Sequence, residues 1–446
     1  MSFGINAASH SEDLTAYLDS RVGEMLSACT RCGKCVEICP VVPFSKAAGQ
    51  NTAQVVSGVL DHLAAIRPPS ESSADWMHRC NGCGDCIPAC PESVNPQQLL
   101  LMAAIKESSQ GTRTPHLFRR MSRAVKLMVA MQLLPVDFAR LLSTPKSRPV
   151  DLIFYTGCNA PRTPHLLFNT MYVLDALGAD YEVLGGPSSC CGVIAAKWEG
   201  EVRAGGRMST NTLTRFASFQ PSKVLNWCPT CDIHLNTTLD GFGSRSFDFE
   251  HVTKYFLGRE ADLRNVLSTP VQKRVVLHAH RGSLEVSRNV ESLLSLVPGL
   301  QIVETVFDAS YTCGRSGSAK TPELREKEQA HLLGRVKESG ADALITLFHS
   351  CHMALLGYEK TAGIEVLNFT DILAQAAGRV PSTDRLKHFR LLDDWPAIVE
   401  DVRPFLKMNG LEIDLKWLEE NGARLISLAE FSSDFDCVQA NAIRSD

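Results

Sequence analysis

Five cysteines at long intervals constrain this chain more than any other feature: Cys158, then Cys190-Cys191, then Cys228 and Cys231. Thirty-one residues separate Cys158 from the adjacent pair, and thirty-six separate that pair from Cys228-Pro229-Thr230-Cys231. Thiols that act together from three such places need a folded scaffold whose loops converge. At 446 residues the chain has enough interior for two or three domains that are stable without disulfides. Its sixteen cysteines are therefore free for chemistry. With no cationic-apolar-small leader at Met1-Ser2-Phe3-Gly4-Ile5, the expected setting is reducing and cytoplasmic, where clustered cysteine means metal or redox work.

A formal net charge of -4 without long single-sign runs argues against a nucleic-acid partner, because phosphate binding needs a concentrated basic surface. The longest apolar runs, such as Leu99-Leu100-Leu101-Met102-Ala103-Ala104-Ile105, fall short of the ~20 residues that span a bilayer. Any membrane contact is expected to be peripheral, on the cytoplasmic face, or through a partner.

Leu14, Leu18, Val22 and Leu26 keep helical spacing and lead into Cys29-x-x-Cys32-x-x-Cys35-x-x-x-Cys39-Pro40. The same run returns as Cys80-x-x-Cys83-x-x-Cys86-x-x-x-Cys90-Pro91. This spacing binds [4Fe-4S] cubanes in two-cluster ferredoxins, with the fourth cysteine of each run serving the other cluster. It assigns Cys29, Cys32, Cys35 and Cys90 to one cluster, and Cys80, Cys83, Cys86 and Cys39 to the second. Structural zinc sites use four ligands in pairs, so two identical quartets favour iron. Between the runs, Val55, Val56, Val59, Leu60, Leu63 and Ile66 predict a packing helix that stops at Pro68-Pro69. Helices separating two cysteine runs resemble the ferredoxin domain of succinate-dehydrogenase-type iron-sulfur subunits.

Residues 113–149 read as a basic amphipathic linker, with Arg119, Arg120, Arg123 and Lys126 ahead of an apolar stretch. From residue 150 the texture becomes α/β: strands at 151–155, 181–184 and 223–227, with helices at 166–177 and 205–216 between them. Each of the five cysteines then follows the carboxyl end of a strand, where open parallel sheets gather their functional loops.

The pattern of strand, ligand, helix and strand recurs about 120 residues on. Strands at 274–280, 301–304 and 343–346 lead to His278 and His280, to Thr312-Cys313-Gly314, and to Phe348-His349-Ser350-Cys351-His352. Aligned by spacing, His280 matches Cys158, Thr312 matches Cys190 and Phe348 matches Cys228, so only Cys313 and Cys351 remain of the five. A phenyl ring and a threonine cannot replace thiolates on iron, and no cluster is expected in this half. Cys313, Cys351, His280 and either His278 or His352 could instead form an S2N2 zinc site, against the plainer reading of simple decay. The last 60 or so residues, with Trp395, Trp417, Phe431 and Phe435, read as helices packing on the body, and Cys437 as an inert thiol.

Together the two ferredoxin runs and the five-cysteine set resemble the heterodisulfide-reductase-related iron-sulfur proteins with Cys-Cys-Gly (CCG) domains. This family includes the iron-sulfur subunits of glycolate oxidase and of anaerobic glycerol-3-phosphate dehydrogenase. The resemblance covers roughly residues 20–375. It implies a multidomain α+β chain, a helical two-cluster [4Fe-4S] ferredoxin domain followed by a pseudo-duplicated α/β CCG domain. The expected divisions are 1–112 for the dicluster domain, 113–149 for the linker, 150–262 for the intact repeat, 263–385 for the degenerate repeat and 386–446 for a helical tail. The resemblance also implies a noncubane [4Fe-4S] cluster on Cys158, Cys190, Cys191, Cys228 and Cys231, with Cys190 and Cys191 as the catalytic pair.

No Gly-x-Gly-x-x-Gly follows a strand and no Walker-type Gly-Lys-Ser/Thr is present, so flavin or nicotinamide is expected on another subunit. The function that follows is an iron-sulfur subunit of an oxidoreductase complex. An FAD-containing dehydrogenase partner would supply its electrons, and a quinone or another electron-transfer protein would accept them. A thiol-disulfide reductase acting at the single noncubane site, and a scaffold with purely structural clusters, are the alternatives.

Overall fold

The computed structural model describes residues 7–110, 116–238, 246–308, 321–427 and 443–444. The cysteine-run region is helical. Ala7–Ala28 precedes the first run, and Thr52–Leu63 and Glu71–Arg79 lie between the runs. The inter-run helix carries Val55, Val56, Val59, Leu60 and Leu63 on its buried face, as the 3.6-residue period predicts. It ends earlier than expected, because Ala65 takes a left-handed φ of 58° and turns the chain; Ile66 is left exposed. The expected linker forms two helices, Leu117–Ala130 and Pro135–Leu142, of which the first buries Met121, Ala124, Val125 and Met128.

Two four-stranded parallel sheets follow. The first has β1 (Leu152–Gly157), β2 (Tyr181–Gly185), β3 (Lys223–Asn226) and β4 (Asp248–His251), in the order β2-β1-β3-β4. The second has β5 (Lys273–His280), β6 (Leu300–Asp308), β7 (Ala343–Thr346) and β8 (Glu365–Asn368), in the order β6-β5-β7-β8. The same order in both sheets is the duplication seen in the sequence. All of β1 is buried, as expected for a central strand covered on both faces. In each sheet the order reverses beside the first strand, and loops that open at such a point form a crevice.

The two halves share one core. Leu152, Phe154 and Leu225 from the first sheet pack in the same apolar cluster as Val275, Leu277 and Ile345 from the second. Trp227 stacks on Phe369 across this junction with ring centroids 5.7 Å apart, and Asn169 donates to Asp371 at 2.7 Å. The division expected at 262 falls inside the helix Glu260–Val266, and that expected at 385 falls at the start of the helix Arg385–Leu392. Trp395–Met408 and Leu415–Ser427 continue the chain as helices. Phe431, Phe435 and Cys437 lie outside the described residues. Among the described residues, no helix is long and apolar enough to cross a membrane.

Candidate functional site

Cys158 follows β1, Cys190 and Cys191 follow β2, and Cys228 follows β3, so three loops at the crevice of the first sheet carry the five thiols. All five are buried. Their sulfurs form an unbroken chain of thiol contacts: Cys158 to Cys190, Cys190 to Cys191, Cys191 to Cys231 and Cys231 to Cys228. Gly157 keeps space beside them clear. A Cβ there would stand 2.8 Å from the Cys228 Cβ and 3.3 Å from the Cys231 Sγ, and the residue has a φ of 75° that side chains rarely adopt.

The Cys-Cys-Gly backbone is clamped from the helix Val202–Ser218. Ser209 donates to the Cys191 carbonyl at 2.7 Å, and Thr212 donates to the Cys190 carbonyl at 2.9 Å. Arg215 holds the approach by donating to the Ser188 carbonyl and to Ser189 Oγ. Gly192 permits this packing, since a Cβ would fall 2.1 Å from the Gly205 carbonyl oxygen. Tyr155 reaches up from β1 to bond the Ser189 carbonyl at 2.8 Å, with its hydroxyl 3.6 Å from Cys231 Sγ.

Sharing protons along the chain of thiols splits their acidities. Cys190 and Cys231, as donors to neighbouring sulfurs, are pushed up, and burial adds to this. Cys191, accepting from both, is held down, helped by the nearby His234. All five could ionise together only with cationic charge beside them, which a metal supplies. An all-sulfur donor set around a space cleared by glycine fits iron-sulfur ligation. Sequence reasoning did not find Tyr155, Ser209, Thr212, Arg215 or His234. Only Gly157, directly before Cys158, carried a local signal.

The eight cysteines of the two runs meet in two groups. Cys29, Cys32, Cys35 and Cys90 line one recess with Val56, Val94 and Leu99. Cys39 lies with Cys80, Cys83 and Cys86, within each other's electrostatic reach. The fourth cysteine of each run has thus crossed to the other group. Burial pushes the Cys35 thiol up to about 12, and Cys83 and Cys86 are also raised, chiefly by burial. Gly33 at φ 80° allows the first run to pass Thr52, where a Cβ would meet backbone at 2.7 Å. Asn81 Oδ1 accepts from the Cys83 amide at 3.1 Å and fixes the second run.

A 4Fe-4S dicluster family model matches residues 12–94, and a cysteine-rich (CCG) family model matches residues 152–236. The chain thus carries a 4Fe-4S dicluster domain and a cysteine-rich CCG domain. This iron-sulfur protein is 24% identical over 398 residues to a subunit of the dihydromethanophenazine:CoB–CoM heterodisulfide reductase of Methanosarcina acetivorans, covering 79% of this chain and 94% of the relative. It is 23% identical over 371 residues to a subunit of the fumarate reductase (CoM/CoB) of Methanothermobacter marburgensis, covering 79% of this chain and 72% of the relative.

The ferredoxin-like part of the chain touches both halves of the α/β region. The helix Pro96–Gln110, which follows Cys90, packs on the helix Val193–Trp198, which begins directly after Gly192; Ser108 donates to the Lys197 carbonyl at 2.8 Å. On the other side Asp85, between Cys83 and Cys86, pairs with Arg281 at 2.9 Å.

In the second half, strand pairing gives the same correspondence as spacing. Lys223 and Ala343 each begin the third strand of their sheet, and they lie beside Leu152 and Val275 respectively. Counting onward, His278 matches Tyr155; β1 then bulges by one residue at Thr156, which β5 does not, so Ala279 matches Gly157 and His280 matches Cys158. His278, His280 and Cys351 lie together and buried, with ligand atoms within 4.8 Å of one another. His352 lies elsewhere, grouped with His165 and Asp384. Cys313 and Thr312 are outside the described residues. Phe348 fills the remaining space, stacking on His280 with centroids 5.8 Å apart.

Proposed function

We propose that this chain is the electron-transfer subunit of an oxidoreductase complex, carrying electrons between an FAD-containing dehydrogenase partner and a quinone or other acceptor. The observation that supports it most is the convergence of thirteen cysteines in three groups, joined by the packing of Pro96–Gln110 on Val193–Trp198. On this reading Cys29, Cys32, Cys35 and Cys90 hold one cubane, Cys39, Cys80, Cys83 and Cys86 a second, and Cys158, Cys190, Cys191, Cys228 and Cys231 a noncubane [4Fe-4S] cluster. When bound, such clusters supply reversible electron storage at potentials tuned by hydrogen bonds and burial. The protein's own contribution is to bury the thiols, to aim the Gly192 amide at Cys190 Sγ from 3.4 Å, and to hold the Cys190-Cys191 backbone on Ser209 and Thr212.

The relatives are named as subunits of a heterodisulfide reductase and a fumarate reductase, which supports membership of a multi-subunit redox complex. The purified chain, reconstituted anaerobically, is expected to bleach on stepwise reduction and recover when a soluble quinone is added, without bound flavin. Irreversible bleaching, or stoichiometric flavin in the purified chain, would reject this division of labour.

The similarity to one part of a heterodisulfide reductase favours a second reading, a thiol-disulfide reductase acting at Cys190 and Cys191. That reading requires the paramagnetic spectrum of the five-cysteine site to change when a thiol or disulfide is added; an unchanged spectrum excludes it. His280 and Phe348 weigh against chemistry that needs two facing five-cysteine sites, since they occupy the second half's counterpart.

A further inference from the structure

We propose that the second half binds a zinc ion through His278, His280 and Cys351, at the place equivalent to the five-cysteine site of the first half. His278 and His280 are two residues apart on β5, so both rings leave the same face of the sheet. Their ring centroids are 4.7 Å apart. Cys351 comes from the first turn of His349–Leu355, the helix that follows β7, and its Sγ lies 3.0 Å from His280 Nε2. All three side chains are at most 1% exposed.

Three ligand atoms within 4.8 Å of one another, two imidazole and one thiolate, match the donor types and spread of a tetrahedral zinc site. The fourth corner is left to a donor outside these three residues. The His280 backbone is fixed on both sides by Ser287, whose hydroxyl accepts from the His280 amide at 3.0 Å and donates to its carbonyl at 3.1 Å. Such support from the backbone behind a ligand holds the imidazole in one orientation.

Comparison of the halves favours zinc over iron. Where the first half has the thiol of Cys158, His280 sends an imidazole toward Cys351, and Phe348 stands where the first half has Cys228. The volume a cluster would need is thus taken by a ring, while the thiol at the Cys231 position is kept. A single ion of ligand-bond length fits between these atoms where a four-iron group does not.

The site lies beside the second ferredoxin run. Arg281, directly after His280, pairs with Asp85 at 2.9 Å, and the Cα of Gly282 is 3.7 Å from where a Gly84 Cβ would be. Zinc here ties the end of β5 to the helix His349–Leu355 and so steadies the surface on which that run rests.

The test is metal analysis of the full chain with its iron fully reconstituted, so that no cluster thiol is open to zinc. About one zinc per chain is expected in the wild type, falling below about a tenth in the His280→Ala/Cys351→Ser variant with iron unchanged. Wild-type protein that keeps less than about a tenth of a zinc after equilibration with the ion overturns the proposal, as does a variant that retains wild-type zinc with full iron. If that variant does not fold, cobalt uptake by the wild type decides. Intense tetrahedral visible bands with a thiolate charge-transfer band support the site, and no uptake or weak octahedral bands reject it.

Discussion

His280 Nε2 lies 3.0 Å from Cys351 Sγ, an imidazole at the strand position where the first half has the thiol of Cys158. Rings at His280 and Phe348, in place of the thiols of Cys158 and Cys228, thus separate an open thiol crevice from a closed one. The asymmetry leaves one five-cysteine site, and Gly157 lies directly against its Cys228 and Cys231.

Gly157→Ala is expected to cost the protein one cluster without unfolding it. The added Cβ would meet Cys228 at 2.8 Å, and a positive φ adds strain of about 1 kcal/mol. Total iron should fall by about four per chain while the cubane signals persist. Iron analysis beside paramagnetic resonance reads this, and undiminished iron would show that the thiols do not depend on the cleared space.

Asp384→Asn tests the junction between the halves. Asp384 Oδ2 lies 2.6 Å from His352 Nε2 and 3.3 Å from His165 Nε2, while Oδ1 accepts from the Lys387 amide at 2.8 Å as a helix cap. Burial alone would raise its carboxyl, but the two histidines outweigh burial and hold it well below the usual carboxylate range. Asparagine keeps the cap and loses the charge, so the change isolates the carboxylate's bonds to the two imidazoles. A loss of roughly 2 kcal/mol is expected, read as a lower chemical-unfolding midpoint. Because the folded pKa is depressed, the wild type's advantage over the variant is full above the unfolded carboxylate value near 4 and is lost as pH falls through the lower folded pKa.

His251 gives a pH dependence of opposite origin. It is buried under Trp227 and donates its Nε2–H to the Trp227 carbonyl at 3.2 Å, and burial pushes its pKa down to about 4. Between about 6.5 and 4 the unfolded chain binds a proton that the folded chain does not, so stability declines as pH falls through that window. The His251→Gln variant should flatten this part of the stability profile. An identical slope in the variant would assign the effect to other groups.

Much of the fold was legible because its signals are local. The cysteine runs fix their own spacing, and β1 and β5 are apolar runs long enough to stand out. The edge strands β4 (Asp248-Phe249-Glu250-His251) and β8 (Glu365-Val366-Leu367-Asn368) were not, since four residues give only two cycles of alternation. At the site, thiols were legible and their supports were not. Ser209 and Thr212 look like ordinary helix-surface residues until the helix is packed on the Cys190-Cys191 backbone. The choice between His278 and His352 depended on strand register and helix rotation, which spacing along the chain does not encode.

The most direct measurement counts iron and acid-labile sulfide in the anaerobically reconstituted full chain while paramagnetic resonance follows a reductive titration. Two cubanes and one five-cysteine cluster predict about twelve irons, two ferredoxin-type signals and one atypical signal. About eight irons with ferredoxin-type signals alone would contradict the assignment of a cluster to Cys158, Cys190, Cys191, Cys228 and Cys231.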